Sequence, residues 1–244
     1  MKLIYRLRSR IKKEGICKTI QYIGYVSFYC IRECFLNTWL DLRYSHRLLR
    51  GNITSSYKAL GANDIYHTKY SVLPIIFRLV RLSKKDVIVD VGCGKGRVIN
   101  FLLSRGYRNK MIGLELDKEI ATRTAKQFRR YKNVRIISGN ALNNMPKDGT
   151  IFYFYNPFSR EVVIKFEELL SKMYAKKPIK IIYYNPKSID VFCNGNWRIQ
   201  YINFEHDLGY RRWGRINKYH ELAILTKIID QELPGSSNTK QSAN

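Results

Sequence analysis

Asp86-Val87-Ile88-Val89-Asp90-Val91-Gly92-Cys93-Gly94-Lys95-Gly96-Arg97-Val98 passes from an apolar run through three spaced glycines and back to apolar residues. The run before Gly92 has the β-branched content of a buried strand. Behind the glycines, Val98, Ile99, Phe101, Leu102 and Leu103 have the spacing of a helix that buries one face. A strand, a turn and a helix in this order put free backbone N–H groups and the positive end of a helix dipole at the strand's end. Glycine lets the chain turn sharply there and come close to a ligand.

Outward from this segment, strand-like and helix-like stretches alternate, which predicts a parallel sheet covered on both faces. The strands read as 86–91, 110–116, 133–138, 150–155 and 180–184, with helical spacing in 97–106, 118–131 and 160–174. The link between the third and fourth strands, 139–149, leaves room for a short helix at most. Two more strands, 197–205 and 219–228, follow without a helix between them and predict a hairpin at the sheet edge, with GYRRWGR (209–215) in its loop. Upstream, Leu73, Ile76, Phe77, Val80 and Leu82, with Pro74 near the first turn, predict a helix that delivers the chain to the first strand.

The glycine spacing separates two kinds of cofactor. A dinucleotide turn, G-x-G-x-x-G, needs its third glycine at position 97, where Arg97 stands. Asp90-x-Gly92-x-Gly94-x-Gly96 resembles the turn of the class I S-adenosylmethionine-dependent methyltransferases, and the resemblance extends over roughly residues 86–228. It implies an α/β, Rossmann-like, mainly parallel seven-stranded sheet with helices on both faces and a C-terminal β-hairpin. It also implies S-adenosyl-L-methionine as cofactor, held by Asp90, Gly92, Cys93, Gly94 and Gly96. A glycine-rich turn in an unrelated α/β protein is the alternative.

Further candidates stand at the later strand ends. Glu115 ends the second strand, nineteen residues past Gly96, where a carboxylate can accept hydrogen bonds from both ribose hydroxyls. The resemblance gives that role to Glu115. After the third strand come Asn140 and Ala141, where the family commonly has an aspartate bonded to the adenine amino group. Asn140 is either an uncharged substitute or a turn former. Asn156-Pro157-Phe158 ends the fourth strand and resembles the Asn-Pro-Pro-aromatic segment of amine-directed methyltransferases, without its second proline. It is read as positioning the acceptor, with a structural turn as the alternative; Asn185-Pro186 ends the fifth strand in a similar way. His67 and Tyr70, just before the helix at 73, either touch the site or belong to a plain surface loop. No residue stands out as a general base; His206, Asp207 and Tyr155 each have an ordinary structural explanation.

Composition bounds the rest. Lys and Arg number 44 against 19 Asp and Glu, a net charge of +25, which points to anionic partners or to composition drift and carries no information about fold. Five scattered cysteines and four histidines form no metal pattern, so no metal is expected, and they suit a reducing, cytoplasmic compartment. Residues 1–50 read as a basic and aromatic helical extension, 51–230 as the methyltransferase domain and 231–244 as a polar tail. Leu3, Ile4, Leu7 and Ile11 share a helical face amid Arg and Lys, and 19–31 is an uncharged run too short to span a membrane. No secretory signal is read in the first residues. This extension either caps the domain's own core or lies on an anionic membrane surface, peripheral on the inner face of the cell membrane. The expected activity is methyl transfer to a protein amine or to a surface-glycan or lipid-linked sugar. The alternatives are an RNA methyltransferase and a non-catalytic binding module that kept the fold.

Overall fold

The computed structural model describes residues 2–203 and 221–229. Seven strands form one sheet: β1 (Val87–Val91), β2 (Lys110–Glu115), β3 (Val134–Ser138), β4 (Ile151–Phe154), β5 (Lys180–Tyr184), β6 (Trp197–Asn203) and β7 (Glu221–Lys227). Their order is β3-β2-β1-β4-β5-β7-β6. The first five are parallel to their neighbours, and β7 runs antiparallel to both β5 and β6, so the sheet is mixed. From β1 the chain first builds outward through β2 and β3, then returns to lay β4 on the other side. That reversal opens a crevice beyond the carboxyl ends of β1 and β4, where ligands bind in open α/β sheets.

Alternating side chains feed two cores. On one face Ile88, Ile151, Tyr153 and Ile182 pack under α3 (Leu73–Val80), α4 (Arg97–Ser104) and Phe128 at the end of α5 (Lys118–Phe128). On the other, Val89, Val91, Phe152, Phe154 and Ile181 pack under Val163, Phe166 and Leu170 of α6 (Arg160–Met173). Asp117 caps α5 by accepting from the N–H groups of Glu119 and Ile120. The link between β3 and β4 holds turns and no helix.

The expected hairpin is present, but its second strand is the inner one. The apolar run Leu222–Leu225 is buried on both faces, as a strand between two others must be. β6 has an alternating pattern, exposes Arg198, Gln200 and Tyr201, and so takes the edge. The 209–215 loop, His206, Asp207 and the 231–244 tail lie outside the described residues.

The extension consists of α1 (Lys2–Glu14) and α2 (Ile16–Leu40), joined at Gly15 with φ of 85°. α1 folds back along α2, with the Arg10 guanidinium 3.9 Å from the Tyr22 ring centre. Little of α2 packs as a cap would, and Thr19 is the one buried residue among those described in it. Only the end of the extension joins the domain. Leu40 packs on the first core, and a π-helical turn at 41–45 buries Asp41. The Asp41 carboxylate accepts from Leu49 N–H at 2.8 Å and from the Tyr70 hydroxyl at 2.6 Å. Asn100 of α4 donates to the same Tyr70 oxygen at 2.7 Å and to the Leu40 carbonyl at 3.1 Å. The expected boundary at residue 50 therefore falls inside packed structure; contact with the core starts at Leu40. No helix among the described residues is long and apolar enough to cross a membrane.

Candidate cofactor and acceptor cleft

The crevice is floored by the glycine turn. Gly92, Gly94 and Gly96 all have left-handed backbone, with φ of 73°, 52° and 77°. The N–H groups of Gly92 and Cys93 both donate to the Leu114 carbonyl at 2.9 Å, which ties the turn to the end of β2. α5 holds it from below: the Thr124 hydroxyl donates to the Gly94 carbonyl and the Gln127 amide to that of Lys95. Cys93 turns inward over Gly113, where a Cβ would stand 2.7 Å from its sulfur. Burial pushes that thiol's pKa up, so Cys93 is a packing residue and a poor nucleophile.

Glu115 lines the cleft and is itself a brace. One carboxylate oxygen accepts from Gly94 N–H at 2.8 Å, the other from Asp117 N–H at 3.0 Å. Each oxygen keeps a second lone pair for a ligand. Asp90, at the end of β1, is buried, and its Oδ2 has no hydrogen-bond partner. Burial, and then the nearby charge of Glu115, push the Asp90 pKa up to about 8.

That shift has a testable consequence for the ligand-free protein. An unfolded aspartate titrates near about 4. Between about pH 4 and about pH 8 the folded chain therefore holds a proton that the unfolded chain releases, and stability falls as pH rises through that window. Melting of Asp90→Asn should exceed wild type by more at about pH 8 than at about pH 5. A difference that does not change with pH would show that Asp90 is ionised throughout.

Residues 51–68 close the cleft from above, and His67, which the sequence left open between the site and a plain surface loop, lies in its lining. Ile53 and Ile65 pair across it, and Ala62 pairs with Phe158. Asn63 is the clasp. Its amide donates to the carbonyls of Asn156 and Phe158 at 2.9 and 2.7 Å, and its N–H to that of Pro157 at 3.0 Å. Tyr66, His67 and Thr68 line the cleft, and Thr68 shares a 2.6 Å hydrogen bond with Tyr153. Tyr70 does not line it; Asp41 and Asn100 hold that side chain.

The expected acceptor segment divides. Pro157 and Phe158 line the cleft, with Tyr155 beside them. Asn156 does not present its amide there: its Nδ2 donates to the Asn185 carbonyl, and its Oδ1 accepts from the Tyr183 hydroxyl at 2.9 Å. Its φ of 44° explains why asparagine stands there, since that residue tolerates the left-handed turn. Asn185, with φ of 51°, makes the matching turn on β5. Asn140 and Ala141 also lie in the wall, but the Asn140 side-chain oxygen accepts from Leu142 N–H at 2.9 Å and so shapes the turn itself.

Arg97 was given no role from sequence and His67 was left open between the site and a surface loop; both line the cleft. Arg97 opens α4, is largely buried, packs over the Tyr70 ring at 5.1 Å, and has a buried Nε without a partner. Burial lowers its pKa first, and Tyr70 and Asp41 oppose that shift. His67 is pushed down to about 3, by burial and then by the charges of Arg97 and Lys95, and its Nε2 has no partner. A neutral imidazole this weakly basic can accept a hydrogen bond but is a poor proton acceptor. Among the described residues, no cluster of His, Cys, Asp and Glu is arranged to hold a metal ion.

Residues 88–175 match the family described as a methyltransferase domain. The ribosomal RNA small subunit methyltransferase A of Dehalococcoides mccartyi is 28% identical over 101 residues, 41% of this chain and 33% of that one. A probable cobalt-precorrin-6B C(15)-methyltransferase (decarboxylating) of Archaeoglobus fulgidus is 31% identical over 70 residues, 29% of this chain and 40% of that one. The chain thus spans about a third of the length of the first of these curated relatives and two fifths of the second. A crystal structure of an RNA methyltransferase from Salinibacter ruber with S-adenosyl-L-homocysteine superposes with a TM-score of 0.48 at 16% identity, covering 70% of this chain and 98% of that one. From β1 to the end of α6, residues 88–175, this chain thus resembles a methyltransferase domain.

Proposed function

We propose that the cleft binds S-adenosylmethionine and that the chain transfers its methyl group to an amine or a sugar hydroxyl brought to the Tyr155–Phe158 end. The buried Asp90 carboxyl beneath the latched glycine turn, whose Oδ2 has no partner, carries this reading. Such a group costs several kcal/mol unless a ligand supplies its partner. The cleft's charged groups suit a nucleoside joined to an amino acid. Glu115 would take the ribose hydroxyls. Asp90 would meet the positively charged amino-acid end, and the Arg97 guanidinium, whose buried Nε has no partner, would hold its carboxylate. The cofactor supplies a methyl carbon on a sulfonium that is already a good leaving group. The chain must align the acceptor, exclude water and keep positive charge away from the sulfonium. The 51–68 segment, clasped by Asn63, serves the exclusion. Pro157 and Phe158 form the acceptor wall, and Asn156 fixes their turn. Gly92 makes that wall close: a Cβ on it would stand 2.6 Å from Pro157 Cβ.

Tyr66, Tyr155 and Phe158 give the cleft three aromatic faces, and the Lys and Arg that line it among the described residues are Arg97 and Lys165. Aromatic faces suit an amine or a sugar ring, and would equally stack a nucleobase. RNA is the second reading, on the net charge of +25 and the named activity of the ribosomal RNA relative. Calorimetric titration of the full chain with S-adenosylmethionine should give a dissociation constant in the micromolar range, about −8 kcal/mol. In the same titration Arg97→Met should weaken S-adenosylmethionine but leave methylthioadenosine, which lacks the amino-acid end, unchanged. Absence of heat at high micromolar cofactor would sink the enzyme reading and leave the non-catalytic module.

A further inference from the structure

We infer that the α1–α2 hairpin is a docking surface for an anionic lipid bilayer, with the apolar stripe of α2 facing the acyl chains. Ile16, Ile20, Phe28, Ile31 and Phe35 are between 62% and 70% exposed, although each is a large apolar side chain. At helical spacing they fall on one side of α2, together with Ile23 and Trp39. The opposite side, with Thr19 buried and Tyr22, Val26 and Tyr29 half-buried, is the one that α1 folds against. A contiguous apolar face of this length is unusual on a soluble surface that has no partner.

Charge selects the occupant. Residues 2–50 carry eleven Lys and Arg against three Asp and Glu, and one of those acids, Asp41, is buried in the domain junction. Arg8, Lys12, Lys13 and Lys18 are exposed around the hairpin. A second copy of the chain would set this positive charge against itself, since the hairpin's other two acids, Glu14 and Glu33, are already paired with its own Arg10 and Arg32. A nucleic acid would neutralise the basic groups but leave the apolar stripe wet. An anionic bilayer satisfies both: headgroup charge for the basic side chains, and the interfacial boundary for the isoleucine, phenylalanine and tryptophan face. Lys18 and Arg32 stand off the stripe, where long basic side chains reach headgroups while their stems cover apolar surface.

The test uses the whole chain and reads the hairpin separately from the cleft. The chain is sedimented with phosphatidylcholine vesicles, with and without about one third phosphatidylglycerol. It should pellet at least tenfold more with the anionic vesicles, and raised salt should release it. The variant Ile31→Glu/Phe35→Glu should stay in the supernatant while keeping the wild-type melting temperature, because both side chains already stand in water. Equal sedimentation of variant and wild type, or no preference for anionic vesicles, would overturn the inference. A wild-type dimer that the variant converts to monomer, without vesicle binding, would overturn it in favour of a second copy. Release of vesicle-bound chain by RNA but not by salt would favour a nucleic-acid partner. Vesicle binding and cofactor titration can fail independently, so neither result substitutes for the other.

Discussion

Glu115→Ala is expected to weaken S-adenosylmethionine binding by at least about tenfold, roughly 1.4 kcal/mol, and by more if the loop loosens. Two losses combine. The ribose hydroxyls lose their acceptor, and the N–H groups of Gly94 and Asp117 lose the carboxylate that fixes them. Bonds to an ionised group contribute about 1.5–3 kcal/mol each, so the second loss is comparable to the first. Calorimetry on the variant measures the sum, and melting of the ligand-free protein isolates the bracing part. If affinity is unchanged while melting drops, Glu115 is a brace and does not hold the ribose. Glu115→Gln should fall between, because an amide keeps one acceptor and turns its NH₂ toward the other backbone donor.

Gly96→Ala is expected to destabilise the ligand-free domain by about 2–5 kcal/mol, which urea unfolding can measure. Left-handed backbone costs a non-glycine residue about 1–2 kcal/mol. The new methyl would also stand 2.5 Å from Phe128 Cε2 and 3.1 Å from Thr124 Cγ2. Overpacking of this kind costs about 1–3 kcal/mol. Gly106→Ala separates the two causes, since Gly106 has a similar φ of 78° and nothing near its would-be Cβ. It should lose only the backbone part, about 1–2 kcal/mol. Equal losses in the two variants would mean that the close approach of α5 to the turn has no energetic weight. Gly96→Ala should weaken cofactor binding as well, because Thr124, one turn before Phe128, also holds the Gly94 carbonyl.

The sheet was legible because its signals are local. Each parallel strand is a short apolar run bounded by turn residues, and five of them appear within a residue or so of where they were expected. The glycine turn was legible for the same reason, since Gly92, Gly94 and Gly96 each mark a backbone conformation that other residues avoid. Glu115 could be placed at the cleft because a strand end after such a turn is a place defined by chain order. Asn156 was misread for the complementary reason. An asparagine before proline signals either a turn or an acceptor contact, and only the position of Asn185, 29 residues on, shows that its amide is already engaged.

The helices of the extension were equally visible in sequence, but what they do was open, since an apolar stripe looks the same whether it caps a core or faces outward. Tertiary structure decides which face is covered. Asp41, Tyr70 and Asn100 come from three distant segments, and no spacing rule connects them. Their buried hydrogen bonds fasten the chain at Leu40–Leu49 and leave the rest of α2 projecting. The same holds for Asn63, Arg97 and His67, whose roles depend on a fold that brings residues 51–68 over the glycine turn. Sequence by itself determined the strands, the helices and the cofactor turn, because periodicity and glycine conformation act within a few residues. Which side chains close the cleft, and which face of α2 stays open, depends on long-range packing that no local pattern encodes.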